Sequence, residues 1–421
     1  MNLLYNAGIA LYKAATHIVA IRSPKVKEML EGERMAITKI RQARNTIAPN
    51  GFDLWIHAAS LGEFEQGRPL IERLRRERPE MRILLSFFSP SGYRVRYNYD
   101  KVDLVVYLPL DTASAARRFI EAAAPKMAIF VKYEFWGNYL QQLHRCHVPT
   151  YSISAIFRPG QRFFRPIGRL SGNVLQYFTH IYVQDEASAN LLHGIGIDAV
   201  TVAGDTRFDR VTDIQRTVRS IPEAEALTAN KPFTIVAGSS WPPDEDLFIP
   251  WVLTHKDVRL IIAPHEFNQA RLQQMLQRLG SCACLLSHAQ KSGLPADCRC
   301  LIIDCFGLLS SLYRYGSMAY IGGGFGVGIH NINEAAVYGI PVVFGPNHHK
   351  FKEAADMIAC GGAFEVTDAK TVNAVLNRLH SDAEARAAAG TAAGDYIRRN
   401  IGATDRIYSD LFPNNLTSNI L

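Results

Sequence analysis

Several familiar signatures are missing from these 421 residues. No GxxxxGK(S/T) P-loop occurs, and no GxGxxG opens a βαβ unit at the chain start, so neither a P-loop NTPase nor an amino-terminal dinucleotide site is indicated. There is no low-complexity tract and no repeat at a solenoid period, which excludes extended disorder and stacked-repeat architectures. Cysteine is sparse and odd in number, seven in all, and residues 1–21 are not followed by a small-residue cleavage site; reduced thiols fit best. Five of the seven crowd together as Cys282, Cys284, Cys298, Cys300 and Cys305. Their CxC pairs lack the CxxC spacing of a zinc knuckle, so no metal is expected there. A clean membrane span is missing too. Leu3 to Ile21 is mostly apolar but is interrupted by Asn6, Lys13 and His17, whereas a spanning helix needs about 20 nearly uncharged apolar residues.

What the segment does carry is Tyr5, Tyr12 and Lys13, followed by Arg22, Lys25 and Lys27. Amphipathic rings and basic flanks suit a helix lying at a membrane interface. An amphipathic helix packed on the protein is the other reading. Charge leans the same way: 46 basic against 39 acidic residues leave +7, which favours anionic partners. With 48% hydrophobic and 20% charged residues, the chain is globular and long enough for two α/β domains.

From Asp53 short apolar runs alternate with helical stretches, the signature of a parallel sheet flanked by helices. Strands are expected at 54–58, 82–87, 102–107, 127–131, 150–153 and 180–183, with helices such as 69–78 and 114–124. A polar stretch around 211–231 interrupts the rhythm, which restarts with 233–237, 259–263, 284–286, 301–303, 318–321 and 342–344. The predicted organisation is an N-terminal segment over 1–30, a first Rossmann-like domain over 31–211, a linker over 212–232, a second such domain over 233–400 and a C-terminal segment over 401–421. Ligands in such sheets bind beyond the carboxyl ends of strands, and two facing domains predict a substrate in a central cleft.

Candidate residues lie at those strand ends. The first strand runs into Ser60, Gly62 and Glu63. Gly62 lets another molecule approach the Glu63 carboxylate, and Pro69, natural at a first helical position, places Glu63 on a loop. The plainer reading has Glu63 complementing the positive end of a helix. Glu134 follows another apolar run within Lys132–Asn138, as a carboxylate paired with Lys132 or Arg158 or as one facing the cleft. In the second half, Gly322, Gly323, Gly324, Gly326 and Gly328 follow a strand. Exposed backbone N–H groups and freedom for positive φ suit a phosphate cradle, and a helix starting near Ile332 would aim its positive end there. Glu334, on its first turn, can accept hydrogen bonds from ribose hydroxyls or act as a simple cap. His348 and His349 are adjacent and point apart, which does not favour a metal. Arg158, Arg162 and Arg165 alternate with Phe163 and Phe164 up to Pro166, mixing phosphate-matching guanidinium groups with apolar rings; the plain alternative is a solvated basic loop.

Taken together these segments resemble the Kdo transferases, GT-B glycosyltransferases that move 3-deoxy-D-manno-octulosonic acid (Kdo) from CMP-Kdo to a lipid A precursor. HAASLGE at 57–63 is similar to the family's H-x-x-S-x-G-E. KYEFWGN at 132–138 is similar to E-x-E-(L/F)-W-P-N, and GDTRFD at 204–209 to G-(S/N)-x-K-F-D. AGSSWPPDED at 237–246 resembles S-x-H-x-x-E-E. GGGFGVGIHNINEAA at 322–336 resembles G-G-S-x-x-x-x-G-G-H-N-x-L-E-P, and GPNHHKFKE at 345–353 resembles G-P-x-x-x-N-F-K-D. The resemblance implies a GT-B fold of two doubly wound domains and an inverting transfer without a covalent intermediate. It implies Glu63 as the general base, with Glu134 as a second candidate catalytic residue. Ser239, His265, Gly322, Gly323, Gly324, His330, Asn331 and Glu334 would bind the nucleotide sugar. Ser60, Gly62, Arg158, Arg162 and Arg165 would bind the acceptor. No metal, cofactor or nucleic acid is implied; CMP-Kdo, lipid IVA and an anionic membrane are, at the cytoplasmic face of the bacterial inner membrane. Departures are visible. Pro264-His265-Glu266 stands where the family has P-R-H, Lys132 replaces the first Glu of E-x-E, Gly137 its Pro, and Ala336 the Pro of L-E-P. Rival readings are a GT-B transferase or epimerase using another nucleotide sugar, such as a UDP-sugar, and a non-catalytic nucleotide-sugar-binding protein.

Overall fold

Runs of Val, Ile, Leu and Phe bounded by polar turns become parallel strands in the computed structural model, which describes residues 3–165, 174–216, 218–230 and 233–413. The chain divides into two compact units between Arg210 and Val211, and the second ends at Ile401. The first unit holds β1 (Leu54–His57), β2 (Ile83–Phe87), β3 (Leu104–Tyr107), β4 (Ala128–Val131), β5 (Thr150–Ala155), β6 (His180–Val183) and β7 (Val200–Val202). They lie in the order β3-β2-β1-β4-β5-β6-β7, all parallel. The second unit holds β8 (Thr234–Ser240), β9 (Arg259–Pro264), β10 (Ala283–Leu285), β11 (Cys300–Ile302), β12 (Met318–Ile321), β13 (Val342–Phe344) and β14 (Ala363–Glu365). Their order is β10-β11-β9-β8-β12-β13-β14, again parallel.

Parallel sheets are covered on both faces, which is why these strands read as continuous apolar runs. Alternate residues of one strand enter different cores. Trp55 packs with Phe119, Phe130 and Tyr139 on one face of the first sheet. Leu54 and Ile56 join Phe64, Leu70 and Phe87 on the other. The topology sets the functional geometry. Each sheet is wound outward in both directions from its first strand, so the winding reverses between β1 and β4 in one unit and between β8 and β12 in the other. Beyond the carboxyl ends at such a reversal the flanking helices diverge and leave a crevice.

Four expectations need correction. The helix foreseen from Pro69 begins at Leu61 and runs to Glu77, with Pro69 inside it; Ser60 starts it eight residues earlier through a capping box. Residues 212–232 are not a plain linker. They include the end of a helix at Arg207–Arg216 and another at Pro222–Leu227, while Thr217, Lys231 and Pro232 lie outside the described residues. Residues 402–413 are not a separate tail. Asp209 accepts N–H bonds from Gly402 (2.5 Å) and Thr404 (2.7 Å), and Ile407, Tyr408, Leu411 and Phe412 complete the first unit's core; residues 414–421 lie outside the described residues. The helix Leu3–Ala20 also belongs to the first unit. No helix among the described residues is long and apolar enough to cross a membrane. The short strands β7 and β14 went unforeseen.

Candidate active site

Glu63 follows β1 and Glu134 follows β4, so the winding reversal brings the two carboxylates together from positions 71 residues apart. Ser60 is the N-cap of the helix Leu61–Glu77. Its Oγ accepts from Glu63 N (3.4 Å), while Glu63 Oε2 accepts from Ser60 N (2.9 Å) and Ser60 Oγ (3.1 Å). The loop placement of Glu63 is thereby corrected: it is the third residue of a helix, with its carboxylate turned back over the helix start. Gly62 is exposed, and a Cβ there would meet nothing nearer than Ser60 Oγ at 4.0 Å. The protein's own packing does not demand a glycine at this position.

The two carboxyls hydrogen-bond to each other and titrate apart. Burial pushes Glu63 up to about 7, and the negative charge of Glu134 adds to the rise. Burial also acts to raise Glu134, but His57 and the Trp136 indole outweigh it and hold Glu134 below the usual carboxylate range. Like charges sharing a desolvated site cannot both ionise freely, so one keeps a proton that the other has given up. The supports are built from the sheet. His57 Nε2 lies 3.4 Å from Glu134 Oε2, close enough for attraction though outside hydrogen-bond alignment. Its Nδ1 meets Ser86 Oγ at 2.9 Å, and Ser86 Oγ also accepts from Trp55 Nε1 at 2.8 Å. Trp136 Nε1 donates to Glu134 Oε2. Of the two expectations for Glu134, an ion pair with Lys132 or Arg158 or a place facing the cleft, the first gives way to contacts with His57 and Trp136. In the sequence His57 and Trp136 are only letters of the two motifs; their role needs the β1–β2–β4 adjacency.

The basic loop lies in the same unit. Arg158, Arg162 and Arg165 are exposed. Phe163 packs edge-on against Phe135 at 5.2 Å, so the loop is anchored by the ring beside Glu134 and Trp136. Pro166 lies outside the described residues. The GDTRFD segment is structural. Asp205 accepts from Gln66 Nε2 (3.2 Å) and Arg207 N (2.9 Å), and Thr206 Oγ1 donates to Gln66 O (2.5 Å), fastening the helix that carries Glu63.

In the second unit, Ser239 and Trp241 lie at the end of β8 and the glycines follow β12, the two strands at the reversal. Gly322 and Gly324 are explained by crowding: a Cβ would come within 2.2 Å of Ser239 O and 2.5 Å of Gly345. Gly323 needs its φ of +93°, and its N–H donates to Asp244 Oδ2 at 2.9 Å. The N–H groups of Gly322, Gly326 and Gly328 are likewise committed to Gly238 O and Gly323 O. At these four positions the N–H groups fold the loop onto itself rather than forming an open cradle. Asp244 is the organiser, since the same carboxylate oxygen takes Trp241 N at 3.0 Å. The helix carrying Glu334 spans only Asn333–Ala336. Glu334 Oε1 accepts from Asn331 Nδ2 at 3.1 Å.

A stack crosses this site: Trp241 on His265 at 4.4 Å, then His265 beside His330 at 4.7 Å. Burial, and then the charge of His265, lower the His330 pKa, which favours a neutral imidazole. Among the described residues, Trp241 Nε1, His330 Nε2 and both amide atoms of the fully buried Asn333 have no hydrogen-bond partner. Buried polar atoms are normally paired, so these four atoms are open to a ligand or a water. Trp241 and Asn333 were not foreseen; an orphaned amide has no signature in sequence. Among the described residues no group of three or more His, Cys, Asp or Glu side chains is placed to hold a metal ion. Cys282 and Cys300 stand with their sulfurs 3.8 Å apart.

The family pattern described as 3-Deoxy-D-manno-octulosonic-acid transferase (kdotransferase) matches residues 31–210. The chain is 28% identical over 337 residues to the 3-deoxy-D-manno-octulosonic acid transferase of Aquifex aeolicus, covering 78% of this chain and 86% of that one. It is 27% identical over 383 residues to the enzyme of that name from Bordetella pertussis, with 85% and 86% covered. With that of Haemophilus influenzae it shares 24% over 421 residues, covering 94% and 93%. Among solved structures, UDP-GlcNAc 2-epimerase from Neisseria meningitidis bound to UDP-GlcNAc superposes with a TM-score of 0.59 at 14% identity, covering 86% of this chain and all of that one. A putative UDP-N-acetylglucosamine 2-epimerase from Listeria monocytogenes gives 0.56 at 14%, with 88% and 99% covered. Such likenesses concern the fold, two Rossmann-like domains of the GT-B type.

Proposed function

We infer the working of this chain from its family, for it belongs to the Kdo transferases, and we propose that Glu63 is its catalytic base. The reaction is transfer of Kdo from CMP-Kdo in lipopolysaccharide assembly, and the acceptor in this reading is the lipid A precursor lipid IVA. The observation that supports the role of Glu63 is the carboxyl pair at the β1/β4 reversal, with Glu63 raised to about 7 and Glu134 held low. A base near 7 is ionised in useful amount at neutral pH, yet basic enough to take a proton as bonding to carbon begins.

The step balances as a single displacement. The acceptor hydroxyl oxygen bonds to the anomeric carbon of Kdo, and its proton passes to Glu63. The bond from that carbon to the CMP phosphate oxygen breaks, and CMP leaves with the electron pair. Inversion follows from attack opposite the leaving group. Glu134 keeps Glu63 basic and oriented. On the donor side, Ser239, His265, Gly322, Gly323, Gly324, His330, Asn331 and Glu334 surround CMP-Kdo. The glycines, packed backbone to backbone, hold the loop in shape beside the ligand, the orphaned Asn333 and His330 atoms meet its polar groups, and Glu334 takes a ribose hydroxyl. On the acceptor side, Ser60 and Gly62 flank the attacking hydroxyl, while Arg158, Arg162 and Arg165 match its phosphates. The helix Leu3–Ala20 turns Leu11 and Ile18 to solvent, with Ile21 just beyond it, at 74%, 69% and 82% exposure. Such a surface beside basic residues suits adsorption to an anionic bilayer at the cytoplasmic face of the inner membrane.

Replacing Glu63 with Gln tests the assignment. The variant should bind CMP as the unmodified chain does and lose transfer by on the order of 10²–10⁴, read as product mass after incubation with CMP-Kdo and lipid IVA. Near-normal turnover removes Glu63 from the mechanism.

A further inference from the structure

The helix Leu3–Ala20 lines an apolar pocket of the first unit. Open and of about 350 Å³, the pocket lies between the helix and the ends of β2 and β4, and its apolar wall is Ile9, Tyr12, Phe88, Leu110, Phe135 and Trp136. Ligand pockets in proteins begin at about this size. The helix is held over it by polar contacts at one end. Tyr5 Oη donates to Asp111 Oδ2 and accepts from Gly137 N at 3.3 Å. Asn138 Nδ2 donates to Asn6 Oδ1 at 2.9 Å. Asp111 is itself fixed by Asn138 N and Tyr139 N, both at 3.1 Å. These bonds fasten the helix start and leave the apolar space beneath its middle unfilled.

Two features say what belongs there. The first is position. Trp136 forms part of the wall, stacks edge-on with Phe88 at 4.9 Å, and gives its indole N–H to Glu134. An occupant therefore ends one side chain away from the carboxyl pair. The second is charge. Arg162 is exposed, makes no ion pair among the described residues, and lies near enough for its charge to act on the Tyr5 hydroxyl. Its neighbour Phe163 packs on Phe135 of the pocket wall. An apolar slot with a cation beside it and a carboxylate base at its end matches a molecule with a hydrocarbon chain, a phosphate and a reactive hydroxyl.

We propose that this pocket receives one acyl chain of the phosphorylated glycolipid acceptor, and that the helix Leu3–Ala20 is thereby a wall of the acceptor site. The proposal rests on the acceptor reading above and adds the subsite. Removing the chain from the acceptor forfeits burial, and filling the slot with protein does the same. Two buried methylenes alone are worth about tenfold in affinity.

The test uses the full chain and two acceptors held below micellar concentration, a tetraacylated phosphorylated disaccharide and its fully deacylated counterpart. Ile9→Trp fills the pocket. The ratio of kcat/KM for the acylated over the deacylated acceptor should fall at least about tenfold, carried by KM. An unchanged ratio, or equal loss for both acceptors, overturns the proposal. A second measurement needs no substitution. A terminally brominated dodecyl phosphate should quench tryptophan fluorescence saturably, and bromoethyl phosphate at the same concentration should not. Equal quenching by both, or none by either, counts against the pocket. If the unmodified chain transfers Kdo to neither acceptor, the acceptor reading fails, and the quenching result still judges the pocket by itself.

Discussion

Replacing Glu134 with Gln removes one charge from the carboxyl pair and keeps an oxygen for the Trp136 indole. Glu63 is raised to about 7 by burial first and by the negative charge of Glu134 second. The substitution leaves the burial and deletes the charge, so the Glu63 pKa must move down. Only ionised Glu63 accepts a proton, so kcat/KM in the unmodified enzyme should climb about tenfold per pH unit below 7 and level above it. At pH 5.5 only about 3% of a group with a pKa of 7 is ionised; lowering that pKa by one unit raises the fraction to roughly a quarter. The acid limb of the variant should therefore lie at lower pH, whatever the height of its plateau. His57 also faces Glu134, so the limb reports the cluster of Glu63, Glu134 and His57 rather than one isolated group. The assay is initial rates from pH 5 to 9 with product read by mass. A limb that stays near 7 or moves upward refutes the idea that the charge of Glu134 tunes Glu63.

Asp244→Ala strips the acceptor from Trp241 N and Gly323 N, at a cost of roughly 1–3 kcal/mol for each buried N–H left unpaired; a lower urea midpoint and weaker CMP binding are expected, and an unchanged midpoint would mean that Asp244 does not hold the glycine loop. Glu334→Ala should weaken CMP affinity by roughly 1–3 kcal/mol, and calorimetry showing no change would place the ribose elsewhere. Glu33 is raised to about 7 by burial, against the opposing effects of its bond from Leu110 N and the charge of Lys13. A raised carboxyl adds stability below the unfolded value near 4.5 and loses it as pH rises through 7. Glu33→Gln should therefore flatten the fall in Tm between pH 5 and 8, and an equally steep fall in the variant would contradict this.

The alternation of apolar runs and helices was legible because a strand buried on both faces must be apolar at nearly every position, as Ala128–Val131 is. Strands with weaker runs, such as Val200–Val202 and Ala363–Glu365, were not. The start of the helix at Leu61 was misplaced because Pro69 is a strong local signal, while the capping box of Ser60 and Glu63 competes with it and, in the folded unit, prevails. A run of glycines after a strand predicts a phosphate cradle. Gly322 and Gly324 turn out to be needed where backbone meets backbone, a contact between segments some 20 to 80 residues apart.

By itself the sequence determined the class of fold, two parallel α/β units, and carried the motifs of the family resemblance, because apolar periodicity and motif spacing are written locally. It also marked Glu63, Glu134, His330 and Glu334 as chemistry-bearing residues at strand ends. Only the tertiary structure decided which strand ends are neighbours. The order β2-β1-β4 sets His57, Ser86 and Glu134 around Glu63, and the order β9-β8-β12 gathers His265, Trp241 and Asp244 beside the glycine loop. A carboxylate's pKa depends on burial and on charges a few ångströms away, and those are properties of strand order, which no local run of residues encodes.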